Sequence, residues 1–154
     1  MDKTAIVEDL KRQLQEQYRR AVEALAGARD AATGDDSKAE GKYDTRGLEA
    51  SYLASGQAEQ VEHLARSIAT LEDFGFKDYD IDDSVGPGAL VEAEAGGEVH
   101  FYLLAPVGGG LTCETEDGET VTILGPASPL REMLLGKTSG TVLEDPPVTI
   151  LEVT

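Results

Sequence analysis

Hydrophobic residues recur every three or four positions through the first part of the chain. They lie at Ile6, Leu10, Leu14, Tyr18, Val22, Leu25, Ala28 and Ala32. A second series with similar spacing lies at Leu48, Tyr52, Ser55, Ala58, Val61, Leu64, Ile68 and Leu71. Such spacing places each series on one face of a helix. Because neither face can be buried alone, we predict two long helices that pack antiparallel as a coiled-coil hairpin.

The connection between the two predicted helices is short and acidic. Thr33-Gly34-Asp35-Asp36-Ser37 supplies residues that favour turns. Ser37-Lys38-Ala39-Glu40 then has the pattern of a capping box, so we predict that the second helix starts at about Lys38. The hairpin would therefore carry an acidic tip at residues 34–40.

The rest of the chain has the alternating pattern of short strands separated by glycine-rich turns. We predict antiparallel strands at residues 89–93, 99–104, 111–115, 120–124, 141–143 and 148–153. Between the fourth and fifth of these, Ser128 and Pro129 begin a predicted short helix that ends before Gly136 and Lys137. The predicted fold class is α+β: a coiled-coil hairpin over residues 1–75, then a small antiparallel β domain with one short helix over residues 76–154.

Charge excludes several classes of function. The chain of 154 residues has 13 basic and 30 acidic side chains and a net charge of -17. Such a chain is repelled by nucleic acids and by anionic membranes, so we expect no independent DNA binding and no membrane partner. The charged start Met1-Asp2-Lys3 does not fit a secretory signal, and the single Cys113 cannot form an internal disulfide. We expect a cytoplasmic protein.

Few residues indicate catalytic chemistry. His63 and His100 lack the spacing of metal ligands, and Cys113 between two threonines is typical of a small buried residue rather than a nucleophile. The tip carboxylates Asp35, Asp36 and Glu40 allow two interpretations. They could help to hold Mg²⁺ in a site completed by another molecule, or they could only form the turn and the helix cap.

Basic residues cluster on the first predicted helix at Lys11, Arg12, Arg19 and Arg20. Acidic residues lie at helical spacing from them, at Glu8, Glu16 and Glu23. The pattern favours a solvated face of intrahelical ion pairs over a binding patch.

Two segments resemble one protein family. The tip, Gly34-Asp35-Asp36-Ser37-Lys38-Ala39-Glu40-Gly41-Lys42-Tyr43, and the later segment Ser128-Pro129-Leu130-Arg131-Glu132-Met133-Leu134-Leu135-Gly136-Lys137 are similar to those of the bacterial transcript-cleavage factors GreA and GreB. The resemblance implies an FKBP-like fold for residues 76–154. It also implies an accessory transcription elongation factor that is not itself an enzyme, and we expect a monomer.

The resemblance further implies a role for each candidate residue. The coiled coil would enter the secondary channel of RNA polymerase, where Asp35, Asp36 and Glu40 would help to hold a Mg²⁺ ion shared with the polymerase, which then cuts its backtracked transcript. The protein would hold no cofactor of its own. Ser128 and Pro129 would contact the polymerase. Arg12, Arg19 and Arg20 would correspond to a family patch that touches the RNA 3′ end.

The tip departs from the family pattern in its spacing. Glu40 follows Asp35 and Asp36 by five and four positions, whereas the family acids are three apart. This displacement is compatible with an alternative interpretation, in which the factor enters the channel and inhibits or regulates the polymerase without stimulating cleavage. A prolyl isomerase or chaperone, and a coiled-coil adaptor, are the alternatives from other classes. Phe101 and Tyr102 point to opposite faces of a strand, which disfavours an aromatic isomerase pocket.

Overall fold

The computed structural model describes residues 1–33 and 46–154. Within these ranges two long helices precede a six-stranded sheet that carries one short helix. In chain order the elements are α1 (Lys3–Thr33), α2 (Arg46–Asp73), β1 (Leu90–Ala95), β2 (Glu98–Leu104), β3 (Thr112–Glu114), β4 (Thr120–Leu124), α3 (Pro129–Leu134), β5 (Val142–Leu143) and β6 (Val148–Val153). The predicted α+β fold class is confirmed.

Helix α1 begins at a side-chain cap. The Asp2 carboxylate accepts hydrogen bonds from the backbone N–H groups of Thr4, at 2.9 Å, and Ala5, at 3.3 Å. These bonds satisfy two of the donors that a helix start leaves unpaired. The predicted start of the second helix at Lys38 and its capping box lie outside the described residues. In the described ranges, no helix has both the length and the apolar character that crossing a bilayer requires.

The chain forms two compact units whose limits cut across both long helices. One unit contains Met1–Arg12 and Thr70–Thr154, and the other contains Gln13–Ala69. The first three turns of α1 therefore belong to the same unit as the sheet. The division of the chain at residues 75 and 76 stays a prediction.

In the helical unit, α1 and α2 pack together, and burial follows most of the predicted faces. Leu14, Leu25 and Leu64 are buried, as the periodicity predicts. Val22 is exposed, and Ala21 is buried in its place. On α2, Tyr52 is 70% exposed, so the predicted buried face is wrong there and at Leu48 and Ser55. Steps of three or four residues do not match the roughly 3.6 residues of a helical turn. Positions chosen in such steps therefore move gradually around the helix and leave the buried face.

Leu64 gives a test of this helix pairing. Its side chain is 4% exposed, so we expect Leu64→Ala to lower the free energy of unfolding by about 2 to 4 kcal/mol. Glu62→Ala on the same helix should change it little, because Glu62 is exposed and its ion pair with Arg66 spans 3.9 Å at the surface. Chemical denaturation of both variants measures the difference. Equal losses would show that Leu64 does not lie in the helix interface.

The sheet has the strand order β3-β4-β2-β1-β6-β5. All neighbouring strands are antiparallel except β2 and β4, which run parallel with Phe101 opposite Val121 and Leu104 opposite Leu124. The prediction of antiparallel strands is wrong for this pair. Its cause is the topology: β3 and β4 form a hairpin, and the returning strand β4 takes the place beside β2, so both strands run in the same direction.

One face of the sheet is covered by α3 and by the segment that leads into β1. Its buried members form a single apolar cluster. They are Tyr79, Val85, Ala89, Val91, Ala93, Leu104, Leu124, Leu134, Val148, Ile150 and Val153. This aliphatic core holds α3 in place through Leu134, which is fully buried.

The opposite face is covered by the start of α1. Strand register places Leu103, Ile123 and Cys113 on this face, and all three are fully buried. A Cβ atom built at Gly108 would lie 2.8 Å from Cδ1 of Leu10, so any larger residue at this position in the loop after β2 would displace the Leu10 side chain of α1. Gly108 also has a φ of +81°, which favours glycine. The sheet therefore lies between α3 and the first turns of α1.

Candidate functional site

The candidate site has two parts, and the structure describes one of them. The tip carboxylates Asp35, Asp36 and Glu40 lie outside the described residues. Their roles stay predictions from the sequence. Ser128, Pro129 and the basic residues of α1 are described.

Ser128 and Pro129 form the start of α3, as the sequence predicts. Ser128 has an extended backbone, with φ of −73° and ψ of 120°, and its hydroxyl accepts a hydrogen bond from the backbone N–H of Arg131 at 3.2 Å. Pro129 occupies the first helical position, where the missing N–H costs no hydrogen bond. The Ser128 cap and Pro129 therefore fix the start of α3, and the ring of Pro129 is exposed there.

Arg131 anchors this helix to the sheet, a role that sequence reasoning missed. Its guanidinium donates hydrogen bonds to the backbone carbonyls of Ala105, at 2.5 Å, and Leu124, at 3.0 Å. These carbonyls lie at the ends of the parallel strands β2 and β4. Burial lowers the pKa of the Arg131 guanidinium from its ordinary value. Arg131 therefore sets the position of the Ser128 and Pro129 cap relative to the sheet.

The far end of α3 is held by backbone hydrogen bonds. Gly136 donates to the carbonyl of Val85 at 2.8 Å, and Val85 donates to the carbonyl of Lys137 at 2.7 Å. Gly136 has a φ of +79°, which the chain needs to turn out of the helix. Gly136 and Lys137, after the end of α3, therefore pair with Val85, which precedes β1. Both ends of α3 are thus fixed.

The basic residues of α1 form intrahelical ion pairs, with Asp9 as a partner in addition to the predicted Glu8, Glu16 and Glu23. Arg12 pairs with Asp9, and Arg19 with both Glu16 and Glu23. Lys11 pairs with Glu8 and Arg20 with Glu16. All are exposed pairs three or four residues apart, and such pairs contribute little to stability. A contact of Arg12, Arg19 and Arg20 with RNA stays a prediction.

Cys113 is a buried residue of the sheet, as the sequence predicts. Its side chain is fully buried. Burial, aided by a hydrogen bond with Asp9 and its negative charge, raises the pKa of the Cys113 thiol to about 12. At neutral pH the group is a thiol rather than a nucleophilic thiolate. Cys113 therefore has the environment of a structural cysteine rather than of a nucleophile.

Metal ligands do not converge in the described part of the chain. No group of three or more histidine, cysteine, aspartate or glutamate side chains in residues 1–33 and 46–154 could hold a metal ion. A shared Mg²⁺ site at the tip carboxylates stays a prediction from the sequence.

Lys3 is a second residue that sequence reasoning missed. Its side chain is 8% exposed, and its ammonium donates to the backbone carbonyls of Lys77, Thr154 and Gly88 at 2.6, 2.9 and 3.3 Å. The ammonium also lies 5.5 Å from the centre of the Tyr79 ring. A lysine in the first turn of an amphipathic helix normally indicates a solvated position, so the sequence offered no signal for this contact.

Comparison with known proteins finds similarity only among solved structures. No protein-family model matches the chain, and no curated protein sequence matches it. The structure of GreA factor homolog 1 (Gfh1) from Thermus thermophilus has 20% sequence identity, a TM-score of 0.34 and coverage of 94% of both chains. Thermus aquaticus Gfh1 has 22% identity and a TM-score of 0.34, with coverage of 97% of this chain and 94% of that one.

A further structure of the transcription factor Gfh1 has 22% identity and a TM-score of 0.38, and the match covers 97% of this chain and 93% of that one. These three structures are of Gfh1 proteins, and the name of the Thermus thermophilus protein identifies it as a homologue of GreA. Function must be argued from this chain's own residues, because identities and scores this low carry no functional information.

Proposed function

We propose that the protein is a Gre-like accessory transcription factor that binds RNA polymerase, inserts its helical hairpin into the secondary channel and stimulates cleavage of backtracked RNA. The observation that carries this proposal is the Ser128–Lys137 segment. It has the family's Ser-Pro start and Gly-Lys end. Arg131 holds the helix start against the ends of β2 and β4, and the far end pairs with Val85, which precedes β1. A long helical hairpin, which the proposed insertion requires, precedes it in the chain.

The acidic charge of residues 76–154 supports a role in docking on the polymerase rather than in binding nucleic acid. Residues 76–154 contain 3 basic and 15 acidic side chains, so their affinity for the transcription complex would come from docking on protein rather than from binding nucleic acid. The described residues offer no metal cluster and no reactive cysteine. In this proposal the chemistry belongs to the polymerase, assisted by carboxylates at the tip.

The spacing of the tip acids favours a second candidate function. Glu40 lies one or two positions further from Asp35 and Asp36 than the family pattern requires. Hard-ion ligation tolerates displacements of only fractions of an ångström. A factor that occupies the channel without stimulating cleavage, and so inhibits or regulates the polymerase, has the same docking surface and differs only at the tip.

A halted, backtracked RNA polymerase complex with labelled RNA separates these functions. Mg²⁺-dependent shortening of the transcript on addition of the protein supports cleavage stimulation. Slower nucleotide addition without shortening supports the inhibitor. A protein that neither binds the polymerase nor changes either rate would overturn the proposal.

The docking contact can be tested separately from cleavage. We expect Ser128→Ala combined with Pro129→Ala to weaken binding to RNA polymerase, because the change removes both the helix cap and the exposed ring. Loss of the cap costs about 1 kcal/mol of stability, so binding should be compared at a temperature where both proteins are folded. Ser84→Ala with Pro147→Ala alters the same residue types at exposed positions. Equal binding by the two double variants would refute the assignment of this contact.

A further inference from the structure

The sheet face that α1 covers is left open at one end, where a groove runs along it. Two adjoining recesses of about 440 and 190 Å³ form the groove. Met1 and Asp117 line both recesses, so the two lie side by side. The larger recess is within the size range of sites that enclose a ligand or a few side chains.

The lining of this groove is acidic with an apolar floor. Leu90 and Phe101 line the larger recess, and Ala5 and Ile6 line the smaller one. No lysine or arginine lines either recess among the described residues. The acidic side chains are Glu92, Asp117, Glu119 and Glu152 in the larger recess, and Asp2, Glu114, Glu116 and the shared Asp117 in the smaller one.

Strand register brings like charges together at the centre of the groove. Glu92 on β1 lies directly opposite Glu152 on β6, and on its other side directly opposite Phe101 on β2. Directly opposed side chains are about 5 Å apart, and like charges in such a pair are destabilising. Neither glutamate has a salt bridge to a described residue. A cation placed between them would remove the repulsion.

We propose that this groove binds a basic segment of a partner protein, with an arginine or lysine side chain between Glu92 and Glu152 and its aliphatic stem on Phe101. The charge complementarity identifies the partner's chemistry, because every charged side chain that lines the groove is negative. The apolar floor suits the methylene stems of long basic side chains, and the Phe101 ring can attract the cation. This inference does not depend on the proposed function.

Other cations and polymers fit the groove less well. The groove carboxylates are not among any described group that could hold a metal ion, so a small cation would find no complete coordination shell. Nucleic acid is repelled by the same carboxylates. Two recesses side by side, of about 440 and 190 Å³, offer room for more than one side chain, which favours a peptide segment over a free amino acid.

Fluorescence anisotropy with a labelled peptide of alternating arginine and serine tests the proposal on the full chain. We expect binding that weakens as salt rises. Glu92→Gln with Glu152→Gln should weaken it by about three- to tenfold, the loss of two partly exposed charge pairs. Glu72→Gln with Glu144→Gln removes the same charge at exposed positions outside the groove and should leave affinity nearly unchanged. Circular dichroism checks that all variants fold.

Backbone NMR locates the peptide independently of affinity. Amide shifts that change at Glu92, Phe101 and Glu152 on titration support the groove. Equal weakening by the two double variants, or shifts confined to other surfaces, would overturn the proposal. Concentration-dependent self-association that is lost in the Glu92→Gln and Glu152→Gln variant would overturn it as well, because the basic segment would then come from a second copy of this chain.

Discussion

We expect amide substitutions at the tip to abolish most transcript cleavage while leaving folding and polymerase binding intact. Asp35→Asn with Asp36→Asn removes the charges of two proposed Mg²⁺-supporting groups but keeps residues that favour the turn. The cleavage rate in a backtracked complex should fall by about ten- to a hundredfold, the usual cost of losing a group that supports a bound metal. Transcript length over time measures this rate.

Glu40→Gln is the sharper test of the same site. Glutamine also fits the predicted capping box, so a capping role of Glu40 would be kept and only the ligand charge would be lost. Glu59→Gln on α2 provides a control with the same change at an exposed helix position. If the parent protein stimulates cleavage and all three tip substitutions leave the rate unchanged, Asp35, Asp36 and Glu40 are turn and cap residues only.

The sequence predicted most elements of this fold because their signals are local. Short alternating segments bounded by turns predicted each strand of the described residues, and the predicted ends agree with the structure to within two residues. The Ser-Pro start of α3 likewise depends on adjacent residues, and the structure confirms its cap. The parallel pairing of β2 with β4 was missed because two strands of identical pattern do not indicate which strand lies between them.

The residues that hold α3 and α1 in place were missed for a related reason. Arg131 and Lys3 both donate to backbone carbonyls that are distant in the chain, and a carbonyl acceptor leaves no trace in the residue pattern. The amphipathic period of α1 also runs unbroken from Ile6 to Leu25, although Arg12 and Gln13 belong to different units. Periodicity reports which face of a helix is buried and not what buries it.

Lys3 should contribute strongly to stability, although a lysine in the first turn of an amphipathic helix is normally solvated. We expect Lys3→Met to lower the free energy of unfolding by about 2 to 3 kcal/mol, because methionine preserves the apolar stem but leaves the carbonyls of Lys77, Gly88 and Thr154 without their donor. Lys11→Met is the matched control. Its ammonium forms one exposed ion pair with Glu8, so the control should lose well under about 1 kcal/mol. Denaturant titration measures both values.

The pH dependence of the same pair of proteins tests the cause. Burial lowers the pKa of Lys3 from its ordinary value of 10.5, and the charge of Asp78 partly opposes that shift. In the pH range just below 10.5 the unfolded chain therefore binds more protons at Lys3 than the folded chain does. The stability of the parent relative to Lys3→Met should rise as the pH increases through this range. A Lys3→Met protein as stable as the parent would show that water replaces the ammonium at these carbonyls. A stability difference that falls with rising pH would show that the buried ammonium is favoured by its acceptors more than it is disfavoured by burial.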